Sequence, residues 1–445
     1  MTIAGPEVLK AIDTSPAAKW NPPRKRLTAA YSTIVLFWAF YYFRPEDALT
    51  ALTILPLAKI IGGIALFALI MGILAEGGRV KLSKEAKLVL LLFIQTVLCI
   101  PFASWRGGAF QTVFEGFDKC VIMTLMIGIA VTSVDRLRRL LFIQASAVAT
   151  MAVLGCIFFR GLTRIKVGEG LYGNANDFAI MIALNLPLCL AFLLRTKNPL
   201  KKTIWAVGLL FMLWAITLTY SRSGFMAVTV AICFSFWEFG IRAKRKHIIV
   251  IGLFLAVFLL PILIPSGYGT RLAGIFSPSI DPMDLGSAAA RRQTLKLSLE
   301  LTLTHPIFGI GPGDFASDTK MWYVTHNTYT QLSSEAGIPA IVLFLLILRQ
   351  VFRNLRDIRK TERFRSDPEV QLFTGALRAS FAAYVFGAFF ASYAYELFIY
   401  ALIAFTAVLY RACQDQPAET VSTALSKFSP AFAPARGRWI KSRWE

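Results

Sequence analysis

The sequence predicts an all-α membrane protein, a polytopic bundle of about twelve transmembrane helices. Composition is the first reason: 56% of the 445 residues are hydrophobic and only 16% are charged. The mean hydropathy of +0.59 is too high for a water-soluble domain. The second reason is that many apolar runs approach the roughly 20 helical residues that one bilayer crossing needs. Most of these runs lack the alternation of β-barrel strands, so helices are expected.

The apolar runs set the predicted spans in order along the chain. They lie near 27–43, 51–75, 86–103, 117–134, 139–159, 177–195, 203–220, 223–240, 247–265, 336–352, 371–393 and 396–412. Residues 1–26 are polar and lack the early apolar stretch of a cleavable signal peptide. The first span is therefore expected to remain as a membrane anchor.

Basic residues predict the orientation of the bundle, because Lys and Arg gather in cytoplasmic loops. They follow every second span, so both termini are predicted to be cytoplasmic. The predicted divisions are a cytoplasmic tail at 1–26, nine spans in 27–265, a large external loop at 266–335, three spans in 336–412 and a cytoplasmic tail at 413–445. Topogenesis and contact with anionic membrane lipids account for much of the net charge of +21. No aromatic-interleaved basic motif indicates a nucleic-acid partner.

The first notable external segment precedes the span at 177–195 and contains Arg164, Lys166 and Asn174-Ala175-Asn176-Asp177. An Asn or Asp here is expected to cap the following helix, which is the simpler interpretation of this segment. Arg164 is placed against the charge bias of external loops. It indicates either an anion site or an ordinary surface residue.

The tight external turn LTYSRSGFMAV places Arg222 at the start of a span. Ser221 or Ser223 can cap that helix, whose positive dipole end adds to the guanidinium charge and favours a bound phosphate. The alternative is an arginine that reaches the membrane interface with its long side chain.

The predicted loop at 266–335 is long for a connection, which favours a functional role. It contains Arg291 and the alternating leucines of TLKLSLELTLT, which we assign to a helix on the external membrane surface with Arg291 near its start. Gly309-Ile310-Gly311-Pro312-Gly313 is assigned to a turn, because a nucleotide loop would contain a lysine. Asp281 and Asp284 have a spacing that can bind a cation, although aspartates are common in proline-containing turns.

The histidine at 326 precedes Asn327, Thr328 and Tyr329, which are expected to start a helix that enters the membrane. That position aims the imidazole of His326 at the membrane boundary. A single loop histidine is usually a surface residue, and this alternative stays open. Glu335 either orients His326 or caps its own segment, and the second role is preferred.

The cysteines do not indicate a covalent or metal framework. All six lie in or beside apolar runs without CxxC pairing, so neither a disulfide framework nor a zinc site is expected.

Taken together, these motifs resemble the bacterial O-antigen ligase family. The resemblance rests on Arg-Pro-Glu after the first span, Arg164 before GNAND, TYSRSG, Arg291 before HPIFGIGPGDF, and HNTYTQLSSEAGIP. It extends from roughly residue 30 to 410. The superfamily also includes O-antigen and exopolysaccharide polymerases and protein O-oligosaccharyltransferases.

The resemblance implies a C-type membrane glycosyltransferase of the inner membrane that needs no metal or cofactor and inverts the anomeric carbon. Its donor is a glycan on undecaprenyl diphosphate, and its acceptor is a hydroxyl of lipid A-core, polysaccharide or protein at the periplasmic face. Carried over by motif, the implied catalytic residues are His326, Arg222 and Arg291. The implied substrate-binding residues are Arg164, Lys166, Asn176, Ser221 and Asn327.

Two other functional classes remain open at this stage. A transporter is compatible with twelve spans, although carriers usually bind substrate near the membrane midplane, whereas these motifs gather at one surface. A non-catalytic scaffold of a polysaccharide export complex would not require Arg222 or His326.

Overall fold

The fold is described from a computed structural model of the chain. The structure describes residues 27–48, 57–78, 80–159, 164–168, 170–245, 282–320 and 324–414. No strand occurs in these ranges, and the predicted all-α class is confirmed for them.

Long helices make up most of the described chain. They are α1 (Thr28–Phe43), α2 (Leu57–Ala75), α3 (Lys84–Cys99), α4 (Asp118–Ala130), α5 (Val134–Phe158), α6 (Ala175–Arg195), α7 (Pro199–Leu218), α8 (Arg222–Ser235), α9 (Pro282–Thr304), α10 (Thr328–Ile358), α11 (Pro368–Gly387) and α12 (Leu397–Gln414). A 3₁₀ turn, Ile100–Phe102, extends α3, and a π turn, Phe236–Arg242, extends α8. Further short helical segments are Pro45–Ala48, Arg106–Gln111, the π turn Thr112–Phe117, Gly170–Tyr172, Phe315–Asp318 and Glu362–Ser366.

Several of these helices are suited to a bilayer, so the chain is a multi-pass membrane protein. Eight helices in the described ranges are long and apolar enough to cross a membrane: α2, α3, α5, α6, α7, α8, α10 and α12. Helices α1, α4 and α11 lie at three further predicted spans. The predicted span at 247–265 lies outside the described residues, so the total of about twelve stays a prediction.

Side-chain caps explain where many of the helices begin. An oxygen of the residue before the helix accepts a backbone N–H that has no partner within the helix. Residues that cap in this way are Ser83, Ser133, Asn174, Asn198, Ser221, Asn327, Thr361 and Asp367. The caps predicted for α6 and α8 are therefore confirmed, at Asn174 and Ser221.

The centre of the bundle is formed by α6 and α12. In these two helices 78% and 83% of the spanning window is buried inside the protein, compared with 22% in the peripheral α2. Helix α6 packs against α5, α7, α8 and α11, whereas α12 packs against α4 and α10.

Basic segments from different parts of the chain meet at one end of the bundle. Glu369, at the start of α11, pairs with Arg138 near the start of α5 at 3.2 Å and with Arg195 at the end of α6 at 2.9 Å. Arg363 donates to the carbonyl oxygen of Ala412, near the end of α12, at 2.7 Å. These segments are the ones predicted to be cytoplasmic, so the helix ends predicted to be external lie together at the other end.

Helix α10 is interrupted at Gly337, whose φ of 80° and ψ of 174° are not helical. The break lies against the segment Pro306–Ile307: the N–H of Ile338 donates to the Pro306 oxygen at 2.7 Å. Gln95 of α3 donates to the oxygens of both Ile307 and Ala336, at 2.9 and 3.0 Å. The Gln95 amide thus supplies a hydrogen-bond donor to a carbonyl oxygen that the break leaves without its helical partner. A helix that is interrupted within a bilayer needs such a donor.

Replacing Gly337 with alanine is expected to destabilise the protein by about 1–3 kcal/mol or more, since it strains the backbone and overpacks the break. An added Cβ would lie 2.2 Å from the oxygen of Ile307 at a positive φ. The test is the midpoint of thermal unfolding of the purified protein in detergent. Gly63→Ala in α2 is the matched control, because its Cβ meets no atom within 4 Å. Equal midpoints for the two variants would contradict the assigned role of the break.

The leucine-rich segment forms α9, as predicted, but one detail of the prediction was wrong. Arg291 lies near the middle of Pro282–Thr304, not near its start, because Pro282 and the alanines at 288–290 extend the helix toward the N-terminus. Buried Thr294 and Ser298 form the side that packs on the α10 region, whereas Leu299 and Leu303 are exposed. An exposed leucine stripe favours an apolar environment. The membrane-surface position of α9 stays a prediction.

Candidate active site

Arg164 is the centre of a hydrogen-bonded cluster between the starts of α6 and α8. Its Nε donates to the Thr219 oxygen at 2.9 Å, and its Nη2 donates to Oδ1 of Asn176 at 2.8 Å. The same Asn176 oxygen accepts a hydrogen bond from Oγ of Ser221 at 2.7 Å. Three residues predicted to form one site, Arg164, Asn176 and Ser221, are therefore in direct contact.

Arg222 is the first residue of α8 and directly follows this cluster. Ser221 caps the helix by accepting from the N–H of Gly224 at 3.2 Å, and the Arg222 side chain is half-buried. The partial positive charge of a helix start adds to the charges of Arg222 and Arg164. An anionic group at this position would meet guanidinium donors and a helix N-terminus.

His326 occupies the turn directly before α10. Its φ of 52° lies in the left-handed region, which non-glycine residues enter rarely and often at functional sites. The turn is fixed by Asn327, whose Oδ1 accepts from the N–H groups of Tyr329 and Thr330 at 2.9 and 3.2 Å. Asn327 therefore positions the imidazole through its role as the helix cap.

The charge state of His326 is set by burial and by Arg291. Partial desolvation, and next the positive charge of Arg291, lower the pKa of His326 from its ordinary value of 6.5. The neutral imidazole, which can accept a proton, is thus favoured at neutral pH. The backbone also joins the two elements, since Thr294, three residues after Arg291, donates to the Thr325 oxygen at 3.3 Å.

Hydrogen bonds connect the His326 turn with the arginine cluster. Thr328 accepts from the N–H of Tyr393 at 3.0 Å and donates to the Ala391 oxygen at 2.7 Å. The Tyr393 hydroxyl donates to Oδ1 of Asp177 at 3.1 Å, and Asp177 is the neighbour of Asn176. The starts of α6, α8, α10 and α12 thus meet in one polar region.

Two members of this region, Tyr393 and Glu396, did not emerge from the sequence. Glu396 directly precedes α12, and burial together with the charge of Asp177 raises the pKa of its carboxyl to about 7. The residue nonetheless remains exposed to solvent. The available sequence signal was an acidic residue among tyrosines, SYAYE, immediately before an apolar run.

Comparison with known families bears directly on this region. Residues 207–345 match the family model for O-antigen ligase. The match confirms the resemblance to the O-antigen ligase superfamily, and it includes Arg222, Arg291 and His326. No curated protein sequence matches the chain.

The segment 207–345 that matches the family model supplies only part of the polar region. Arg164, Lys166 and Asn176 precede it, and Tyr393 and Glu396 follow it. Lys166 is exposed. Its predicted role in binding substrate stays a prediction.

Glu335 has neither of the roles considered from the sequence. Its Oε2 accepts the N–H of Gly313 at 2.9 Å and lies 3.5 Å from Nε2 of Gln331. The carboxylate therefore holds the turn at Gly309–Gly313, which is confirmed as a turn with positive φ at Gly309, Gly311 and Gly313. The position of Glu335 is explained by this turn, not by orienting His326 or by capping its own helix.

Metal ligands and cavities do not mark a different catalytic region. Among the described residues, no group of three His, Cys, Asp or Glu side chains could hold a metal ion. Asp281 and the Asp284 side chain lie outside them. All six cysteines are free thiols.

A cavity of about 350 Å³ lies at the basic end, between α3, α10 and α12, and is lined by Lys84, Arg353 and Arg411 among others. It is remote from the His326 turn and does not belong to the candidate site.

Proposed function

We propose that this protein transfers a glycan from undecaprenyl diphosphate to an acceptor hydroxyl at the periplasmic face of the inner membrane. The observation that supports it best is the continuous polar region joining the arginine-bearing start of α8 to the His326 turn. A diphosphate needs positive charge, and an attacking hydroxyl needs a base. This region provides both at one end of a membrane bundle.

Arg222 and Arg291 bind the diphosphate in this proposal, and Arg164 assists them. Guanidinium groups stay charged at any physiological pH and can bind two phosphate oxygens at once. Negative charge grows on the diphosphate as its bond to the sugar breaks, and fixed positive groups stabilise that charge. The helix start at Arg222 contributes in the same direction. The arginines take the place of a metal ion, so transfer is expected to continue in EDTA.

His326 is the general base for the acceptor. Its neutral imidazole takes the proton of the attacking hydroxyl while the hydroxyl oxygen forms the new bond to the anomeric carbon. The bond between that carbon and the phosphate oxygen breaks in the same step, and undecaprenyl diphosphate leaves with the electron pair. A single displacement inverts the anomeric configuration.

Gene deletion followed by gel analysis of surface polysaccharide tests the proposal in the cell. Loss of attachment of complete chains indicates a ligase, whereas loss of chain length indicates a polymerase. Unchanged attachment and chain length, with uptake of glycan by reconstituted vesicles, would instead support the transporter alternative.

The pH dependence of transfer tests the assignment of the base. Because the base must be neutral, activity is expected to rise as His326 loses its proton, with a midpoint below 6.5. Arg291→Gln removes a repelling positive charge, so it should raise the His326 pKa and move the midpoint upward, whatever its effect on the maximal rate. A midpoint near 7 that disappears in Glu396→Gln would assign the base to Glu396 and contradict the role of His326.

A further inference from the structure

A second pocket opens at the same end of the bundle, between α3 and α4. It has a volume of about 280 Å³ and is lined by the side chains of Trp105, Gln111, Thr112 and Glu115 and by glycine backbone, including that of Gly313. Residues 112–117 form a π turn, a rare backbone form that is frequent at functional sites. Nothing in the proposed transfer step uses these residues.

The Trp105 indole lines this pocket together with Gly108. The ring lies against Gly108 so closely that a Cβ at that position would be 2.3 Å from the ring. Gly108 itself is buried, whereas Trp105 is 56% exposed. The glycine thus allows an exposed aromatic platform that packs closely against the backbone.

The platform is held rigidly on the glycine-rich turn. The N–H of Trp105 donates to Oδ2 of Asp314 at 2.8 Å, and the N–H of Ser104 donates to the Ile310 oxygen at 2.7 Å. Ser104 Oγ also donates to Asp318 at 2.7 Å. A site that is already ordered loses little conformational entropy when a ligand binds.

The chemistry of the lining selects the kind of ligand. Pyranose rings stack their C–H faces on aromatic rings, and the sugar hydroxyls bind to amide, carboxylate and hydroxyl groups. The pocket provides these groups with Trp105, Gln111, Glu115 and Thr112. An exposed carboxylate at Glu115 is costly in hydrocarbon, so the pocket faces water or headgroups. None of the described residues that line it is basic, which disfavours a phosphate.

The pocket is connected to the candidate active site through the same turn. Gly313 lines the pocket and donates its N–H to Glu335, which also lies beside Gln331. Gln331 in turn accepts the N–H of Ala394 at 3.2 Å, next to Tyr393. We propose that the Trp105 pocket binds a sugar ring of a glycan substrate while His326 and the arginines act on the reacting bond. The glycan chemistry of this inference rests on the proposed function.

Saturation-transfer NMR titrations of the purified full-length protein in nanodiscs test the pocket. The probes are short neutral oligosaccharides of glucose, galactose or N-acetylglucosamine, and inorganic pyrophosphate is the charged comparison. At least one oligosaccharide is expected to bind, and Trp105→Ala should weaken that binding about tenfold, whereas Trp105→Phe retains most of it. Gly108→Ala, which displaces the ring without removing it, should resemble Trp105→Ala.

Three further variants make the result specific. Trp237→Ala is the matched control, because Trp237 is 53% exposed but lies on the π turn after α8, at the basic end. It should leave oligosaccharide binding unchanged. His326→Ala should also bind the oligosaccharide normally. Loss of glycan transfer and loss of oligosaccharide binding are therefore distinguishable results. Glu115→Gln, compared with Trp105→Ala in the transfer assay, shows which substrate carries the bound ring. A rise in KM for the donor glycan assigns the ring to the donor, and a rise in KM for the acceptor assigns it to the acceptor.

Two outcomes would overturn the inference. One is that no oligosaccharide of the panel binds the wild-type protein. The other is that Trp105→Ala binds like the wild type but is less stable in the bilayer, which would make Trp105 an interfacial membrane anchor.

Discussion

Replacing His326 with alanine is expected to reduce glycan transfer by about 10²–10⁴-fold, the range over which a positioned general base accelerates proton transfer. The imidazole is half-buried next to Arg291, and its lowered pKa keeps it neutral. His326→Asn serves as a second variant, because asparagine tolerates the positive φ at this position. Both variants should lose the acidic limb of the pH profile. The measurement is transfer from a purified polyprenyl-diphosphate glycan donor by protein in nanodiscs.

His305 provides the matched control for this experiment. It is an exposed histidine of the same region, and its Nδ1 lies 3.0 Å from Oγ1 of its neighbour Thr304. His305→Ala should leave transfer unchanged. If His326→Asn unfolds at the wild-type temperature and transfers glycan at the wild-type rate, the base is another group. The pH profile of Glu396→Gln would then show whether that group is Glu396.

The positions of the helices could be predicted because they depend on local sequence. An apolar run of bilayer length forms a helix wherever lipid offers no other hydrogen-bond partner to the backbone. Local signals also predicted the caps of α6 and α8 and the turn at Gly309–Gly313. The alternation of basic segments also placed Arg164, Asn176 and Ser221 at one end of the bundle, where the structure shows them in contact.

Contacts between distant parts of the chain could not be predicted from one sequence. Gln95 reaches the break in α10, Glu335 reaches the turn at Gly313, and Tyr393 reaches Asp177. Each contact joins residues from different helices or turns, so it depends on how the bundle packs. This is why Glu335 was assigned to its own segment.

The same limitation explains why α9 was only partly anticipated. Its leucines alternate in the sequence, a pattern that also fits a strand, and only packing shows which side of the helix is buried. The small polar residues Thr294 and Ser298 are buried, and Thr302 lies 2.8 Å from Ser333 of α10. Small and hydroxyl side chains commonly form interfaces between membrane helices, because they allow close approach and hydrogen bonding. The apolar residues then face outward, which is the reverse of a water-soluble helix.

Replacing Arg222 with lysine is expected to lower transfer by about 10- to 100-fold, and Arg222→Ala by about 10²–10³-fold. Lysine keeps the charge but loses the planar fork that can bind two phosphate oxygens. The helix cap at Ser221 remains in both variants, so folding should be preserved. Arg242→Lys is the matched control, because Arg242 ends the same continuous helix at its opposite end. It should transfer glycan normally.

The kinetic parameter that changes in Arg222→Lys identifies what the guanidinium does. If Arg222 mainly stabilises the charge that grows on the departing diphosphate, kcat should fall while KM for the donor changes little. If it only holds the donor, KM should rise at constant kcat. Arg222 starts a capped helix directly after Ser221, which shares Asn176 with Arg164. This position favours the first result, since the helix start and Arg164 are held in place before the charge develops. Near-native kcat and KM in Arg222→Lys would reduce Arg222 to a general electrostatic role and leave Arg291 and Arg164 as the groups that bind phosphate.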